Sequence, residues 1–333
     1  MEQTSMRAVV CETLARDFSQ VRLRQAPAPL PGPGEVRVRI AAASLNFPDL
    51  LMLKGEYQYR PEPPFIVGID LAGHVDSLGA GVEGLAHGQR VAGGTKTGAF
   101  AEYAVLPASA LHTIPDSMSF SSAAAYPAAY TTACVALIER GQLQAGETLV
   151  VHGASGGVGM AAMDVGRMLG ARVIATTGSE KKAPALMQAG ASDVVILTGP
   201  PGEAFRHDVK RLTDGRGADV IFDPVGGDVF DESLRCIAFN GRLLVIGFAG
   251  GRIATLGSNI PLIKGFSVIG VRAGEYGRQL PHRGRVVRDQ IWRWAADGAS
   301  RPAVFAELPL EKWEDAFALM RDRQLVGKII LRP

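Results

Sequence analysis

Apolar residues recur at every second position through the first third of the chain and at every third or fourth later, and that change of period divides it into two parts. Arg7-Ala8-Val9-Val10, Val21-Arg22-Leu23-Arg24 and Glu35-Val36-Arg37-Val38-Arg39-Ile40 are short alternating runs, the last with its arginines on one face. Asn46-Phe47-Pro48-Asp49 opens a short helix through Lys54, with Pro48 suited to its first turn. A loop with Tyr57 and Tyr59 follows, then strands over 65–75, 88–91 and 99–105. Residues up to about 120 therefore predict a small β barrel.

From Ser121 an alanine-rich helix is expected through Gly141. Strand-like runs then alternate with helical ones: 148–151, 172–177, 194–197, 218–222, 243–246 and 267–271. That alternation predicts a parallel, doubly wound α/β sheet. Helices over 286–296 and 313–320 and a strand over 328–331 close the chain.

The densest signal lies between the first two of those later strands. Thr148-Leu149-Val150-Val151 runs into Gly153-Ala154-Ser155-Gly156-Gly157-Val158-Gly159 and then into an apolar helical segment. A glycine motif between strand and helix of a β-α-β unit is a dinucleotide-binding signature. Gly156 lets the backbone approach a pyrophosphate, and Gly159 lets the helix pack on its strand. The unpaired N–H groups at the helix start suit a phosphate. Ala154 stands where the familiar pattern opens with glycine.

The end of the second strand selects the cofactor. Thr176-Thr177-Gly178-Ser179 carries no acid before Glu180, and Lys181 and Lys182 follow. A carboxylate there would hold the adenosine 2′-hydroxyl of NAD and repel a 2′-phosphate. Hydroxyls and lysines suit the phosphate, so NADPH is expected.

Composition narrows the rest. With 333 residues, 47% of them hydrophobic, the chain is long enough for two domains. A net charge of +2 without a basic stripe does not suggest nucleic acid. No apolar run is long enough to cross a bilayer and no signal peptide is read at the start, so a cytoplasmic protein with no membrane partner is expected. Cys11, Cys134 and Cys236 are isolated and read as buried thiols. The six histidines show no ligand spacing, and His152 reads as packed at the sheet end.

Gly34-Glu35-Val36, Asn46-x-x-Asp49, Gly88-Gln89-Arg90-Val91, the glycine turn, Asp223-Pro224-Val225-Gly226-Gly227 and Gly327-Lys328-Ile329-Ile330-Leu331 together resemble the medium-chain dehydrogenase/reductase superfamily. Within it the chain is similar to the zinc-free NADPH:quinone oxidoreductase branch. The resemblance implies a GroES-like β-rich catalytic domain over 1–123, completed by 272–333, and a Rossmann domain over 124–271. Zinc-dependent relatives carry cysteine where Asn46 stands and Gly-His-Glu where Gly68-Ile69-Asp70 stands, so no metal site is expected.

Further roles come from the resemblance alone. Tyr57 matches the position of a proton-donating or substrate-side tyrosine, Asn46 holds the nicotinamide or a substrate carbonyl, and Asp49 is a site residue or a helix cap. Thr131 lies beside the nicotinamide, and Val225-Gly226 with Phe248-Ala249 along the cofactor rim. A tyrosine common in the family after the third strand is Leu197 here. The strand over 267–271 implies a homodimer. Arg283, Arg285 and Arg288 form a basic run that reads as a solvated helix start, though a CoA phosphate would suit it.

Without a Lewis acid a simple alcohol is a poor hydride donor, so reduction of an acceptor activated by conjugation is expected. Three functions stay open: a reductase of quinones or α,β-unsaturated carbonyls, an enoyl-thioester (acryloyl-CoA-type) reductase, and a non-catalytic NADPH-binding or structural protein.

Overall fold

The computed structural model describes residues 4–197 and 205–333. Its strands begin with β1 (Ser5–Cys11), β2 (Val21–Pro27), β3 (Glu35–Ser44), β4 (Phe65–Ile66), β5 (Asp70–Leu78), β6 (Arg90–Gly94), β7 (Tyr103–Pro107) and β8 (Leu111–Thr113). A second series follows: β9 (Thr148–Val151), β10 (Arg172–Thr177), β11 (Asp193–Ile196), β12 (Ala218–Asp223), β13 (Ile237–Val245) and β14 (Ser267–Gly270). β15 (Val304–Pro309) and β16 (Lys328–Arg332) end the chain. The residues fall into two compact units, Met1–Ala128 with Pro302–Pro333, and Ala129–Arg301.

Unit 1 holds a three-stranded sheet, β2-β1-β4, and a seven-stranded one ordered β15-β16-β3-β5-β6-β8, with β7 also on β3. The alternation in β3 does what the pattern implies: Val36, Val38 and Ile40 are buried while Arg39 is exposed and Arg37 pairs with Asp76 at 2.6 Å. Those three pack with Leu71, Val75, Val91, Phe100 and Leu106 and with Trp313, Phe317, Ile329 and Leu331 from the other end of the chain. The expected strand over 65–75 divides at Gly68, which adopts φ +98°. A Cβ there would sit 2.4 Å from the Phe100 ring, so only glycine carries the chain from β4 in one sheet to β5 in the other.

Unit 2 is a six-stranded sheet ordered β11-β10-β9-β12-β13-β14, parallel throughout. The chain steps outward from β9 to β11, returns to the other side of β9, and steps outward again to β14. The order reverses between β9 and β12, and ligands of such sheets bind beyond the strand C-termini at that switch point.

The helix expected over 121–141 is three pieces, because Pro127 lacks an N–H and starts a new segment. Phe120–Ala124 and Pro127–Cys134 are α-helical, and Val135–Arg140 is a π-helical turn. Residues 272–301, which the resemblance assigns to the β-rich domain, go with unit 2. The cause is visible in two acids: Glu139 accepts from Tyr276 Oη and from Arg283 at 2.9 Å, and Asp164 accepts from Tyr130 Oη at 2.7 Å and from the Arg301 N–H at 3.1 Å. Among the described residues no helix is long and apolar enough to cross a membrane.

Candidate functional site

The turn after β9 sits at the switch point. The Ala154 N–H donates to Thr176 O at 3.2 Å and the Gly156 N–H to Gly153 O at 3.0 Å, which fixes the loop against the end of β10. Gly156 is the N-cap of the helix Gly157–Met168, and no side chain caps that end. Its first N–H groups are thus without a side-chain acceptor, an arrangement that suits an anion. The glycines differ in what they serve. A Cβ at Gly159 would fall 2.4 Å from Gly153 O and 2.7 Å from Ala154 Cα, so the fold itself requires glycine there. A Cβ at Gly156 would meet only Gly153 O at 3.4 Å, and one at Gly178 would meet nothing within 4 Å. Neither is small for the sake of protein packing.

Ser155 and Val158 flank the same turn, and Thr177, buried at the end of β10, accepts the Ser179 N–H at 3.3 Å. Lys182 reaches back so that its Nζ lies 3.4 Å from Ser155 Oγ. Hydroxyls and an ammonium from both β-strand ends therefore face one place. The next strand end joins them: a Cβ on Gly153 would lie 3.3 Å from Val225 Cγ2. Val225 and Gly226 donate their N–H groups to Asp223 Oδ1 at 2.8 and 2.9 Å. Burial pushes Asp223 up to about 6 against those two donors, and its Oδ2 has no partner. Ala249 donates to Pro224 O at 3.0 Å, and Phe248, 41% exposed, lies 3.1 Å from where a Gly226 Cβ would be. Residues 154–159, 177–182, 225–226 and 248–249 thus form one connected rim.

Thr131 lines a small pocket of unit 2 with Val135, Gly277, Gly284 and Arg288. Of the basic run, Arg283 is committed to Glu139, whereas Arg285 is exposed.

His152 is packed at the sheet end, fully buried between Thr176 Oγ1 and Ser233 Oγ, each 2.9 Å away. Ser233 donates its own proton to Val229 O, so the imidazole donates from Nε2 and accepts at Nδ1. Burial lowers its pKa to about 3. The unfolded chain, with histidine near its ordinary ~6.5, then binds more protons than the native one below that value. Stability is expected to fall as pH drops from about 6.5 towards about 3, at roughly 1.4 kcal/mol per pH unit from this group. Urea midpoints across that range would show a shallower slope in His152→Gln if this reading holds.

Unit 1 contributes a buried polar cluster. Asn46, the N-cap of the helix Phe47–Leu53, donates from Nδ2 to Ser44 O and Asp70 Oδ2, both at 3.0 Å, and accepts from Lys328 Nζ at 2.6 Å. Its backbone N–H meets Asp49 Oδ2 at 2.8 Å, closing a capping box. Both amide protons of Asn46 are in use, so no donor remains for a substrate carbonyl. Burial pushes Asp49 up to about 8, raises Asp70 and lowers Lys328. Lys328 faces Asp70 at 3.8 Å. Asp70 Oδ2 also accepts the Ala128 N–H at 3.2 Å.

Tyr57 follows the helix on a turn through Gly55 and packs half-buried against the unit 1 core. Tyr59 is exposed, with Lys96 over its ring at 5.3 Å. Sequence reading missed Lys328, Asp70 and Asp223 as site residues. A lysine opening a run buried on both faces was the available signal, since Lys328 through Leu331 are all buried.

A family model described as an alcohol dehydrogenase GroES-like domain matches residues 32–116, and one described as a zinc-binding dehydrogenase matches 157–285. The quinone oxidoreductase-like protein 2 homolog of Nematostella vectensis is 37% identical over 87% of this chain and 79% of its own length. A probable oxidoreductase from Mycobacterium abscessus superposes with a TM-score of 0.89 at 34% identity, covering 99% of this chain and 100% of that one. A mycobacterial protein solved in complex with NADPH does so at 0.89 and 29%, covering 98% and 100%. With both units matched and a relative 37% identical over most of both chains, the chain belongs to the medium-chain dehydrogenase/reductase superfamily. Within it the chain is an oxidoreductase of the quinone oxidoreductase branch with a nicotinamide cofactor.

Proposed function

We propose that this chain is a zinc-independent, NADPH-dependent reductase of quinones or α,β-unsaturated carbonyl compounds. The observation that carries the reading is the buried lysine. Lys328 already faces the Asp70 carboxylate, and the Asn46 amide spends one proton on that carboxylate and the other on Ser44 O. A divalent ion does not fit a pocket that contains an ammonium, and among the described residues no three acids, histidines or cysteines gather elsewhere. Without a Lewis acid, the acceptor must be one that conjugation has already activated.

NADPH, when bound, supplies the hydride. The chain supplies binding and charge stabilisation. The N–H groups opening the helix Gly157–Met168 take the pyrophosphate, and Lys182 with Ser179 and Gly178 takes the 2′-phosphate. The Tyr57 phenol donates to the acceptor oxygen as it gains charge. Asn46 and Asp49 anchor the start of the helix that leads to Tyr57, and Thr131, Val225, Gly226, Phe248 and Ala249 border the cofactor.

Removing Lys182 tests the cofactor reading. Lys182→Ala is expected to raise KM for NADPH roughly tenfold, a loss of ~1.4 kcal/mol, while leaving KM for NADH unchanged. Equal effects on both cofactors would remove the 2′-phosphate assignment. Retained activity in EDTA, with less than stoichiometric zinc in the purified protein, is the expected result for the metal-free part.

A homodimer fits the open side of β14, which ends its sheet. Phe239, Leu262 and Ile263 stand out at 84%, 81% and 74% exposure. Gel filtration is expected near twice the 35.2 kDa chain mass, with Ile263→Asp shifting it to the monomer.

A further inference from the structure

Lys328 opens β16 beside Ile329, Ile330 and Leu331 and is only 4% exposed. Burying such a charge pair is weak evidence for stability, because apolar replacements are often as stable or more so. This cluster even leaves Ser44 Oγ and Asp49 Oδ1 buried without partners. It is better understood through what it orients.

The ammonium fixes the Asn46 amide from one side, and Asp70 and Ser44 O fix it from the other. Asn46 is the N-cap of a seven-residue helix. Beyond that helix the chain stays laced to it: Lys54, Gly55 and Glu56 donate to Leu51 O, Met52 O and Leu51 O at 3.2, 3.0 and 2.9 Å. Tyr57 is the next residue. A hydrogen bond made by Lys328 at the far end of the sequence therefore reaches Tyr57 through about two turns of helix and a tied loop.

We propose that Lys328 is a positioning residue, whose ammonium locks Asn46 at the helix start and thereby sets the Tyr57 hydroxyl. The proposal rests on the reading of Tyr57 as the donor to the acceptor oxygen. The competing account is that Lys328 only neutralises buried carboxylates.

Lys328→Met alone would strand Asp70 and could fail to fold, so the deciding protein is Lys328→Met with Asp70→Asn, which buries no unpaired charge. With positioning, the double variant melts near the parent temperature and keeps its KM for NADPH, while kcat falls roughly a hundredfold, as for a displaced catalytic group. The second readout needs no turnover. In protein labelled with 3-fluorotyrosine, the Tyr57 fluorine resonance, identified by its loss in Tyr57→Phe, is expected to shift or broaden in the double variant. A double variant with parental kcat and an unmoved Tyr57 resonance would overturn the proposal. A moved resonance with parental kcat would leave Lys328 positioning Tyr57 and overturn the donor role of Tyr57 instead.

Discussion

Gly159→Ala is expected to disrupt unit 2, whereas Gly156→Ala, three residues earlier in the same motif, is expected to fold like the parent and lose its cofactor. The difference follows from what surrounds each position. At Gly159 the new methyl would collide with the backbone of Gly153 and Ala154 at 2.4 to 2.9 Å, and backbone cannot swing aside as a side chain can. Overpacking of this kind costs about 1–3 kcal/mol, and here it falls on the first turn of the helix Gly157–Met168. Thermal or urea unfolding should show the loss directly. At Gly156 the methyl meets one carbonyl at 3.4 Å, an ordinary contact. It would instead occupy the space through which the phosphate reaches the N–H groups, and losing one charge-assisted hydrogen bond of roughly 2 kcal/mol weakens NADPH about thirtyfold. Fluorescence titration of NADPH, with the melting curve as control, separates the two. A Gly156→Ala protein that binds NADPH as the parent does would exclude the turn as the phosphate site.

Tyr57→Phe is expected to reduce kcat by roughly a hundred- to a thousandfold, the usual consequence of removing one donor aimed at a developing oxyanion. The ring would stay, and with it the packing against the unit 1 core, so melting temperature and KM for NADPH should hardly change. Tyr59→Phe is the natural control, because that ring is exposed and its contact with Lys96 survives loss of the hydroxyl. A Tyr57→Phe enzyme with parental kcat would move the donor role to another group.

Much of this architecture was legible because its signals are local. Alternation in Glu35–Ser44 and the strand-glycine-helix order after Thr148 each depend on neighbours in sequence, and both appear where the pattern puts them. His152 could be read as packed because it directly follows an apolar strand. The long-range features were another matter. Lys328 meets Asn46 across 282 positions, and nothing in a lysine before Ile-Ile-Leu says that the partner is a carboxamide and not water. For the same reason the resemblance gives Asn46 the nicotinamide or a substrate carbonyl to hold, and only the structure shows both its amide protons taken. Residues 272–301 are assigned by the resemblance to the β-rich domain, because the acids that tie them to unit 2, Glu139 and Asp164, sit in segments over a hundred positions away.

The most direct test of the central claim is the rate of NADPH oxidation by the purified protein in EDTA, with phenanthrenequinone and crotonyl-CoA offered in parallel and NADH as the control. The expected result is turnover of the quinone with NADPH, slower with NADH and indifferent to EDTA. Turnover of crotonyl-CoA alone would make the protein an enoyl-thioester reductase. Tight NADPH binding with no turnover of either acceptor, or a rate that EDTA abolishes, would contradict the account of a metal-free reductase.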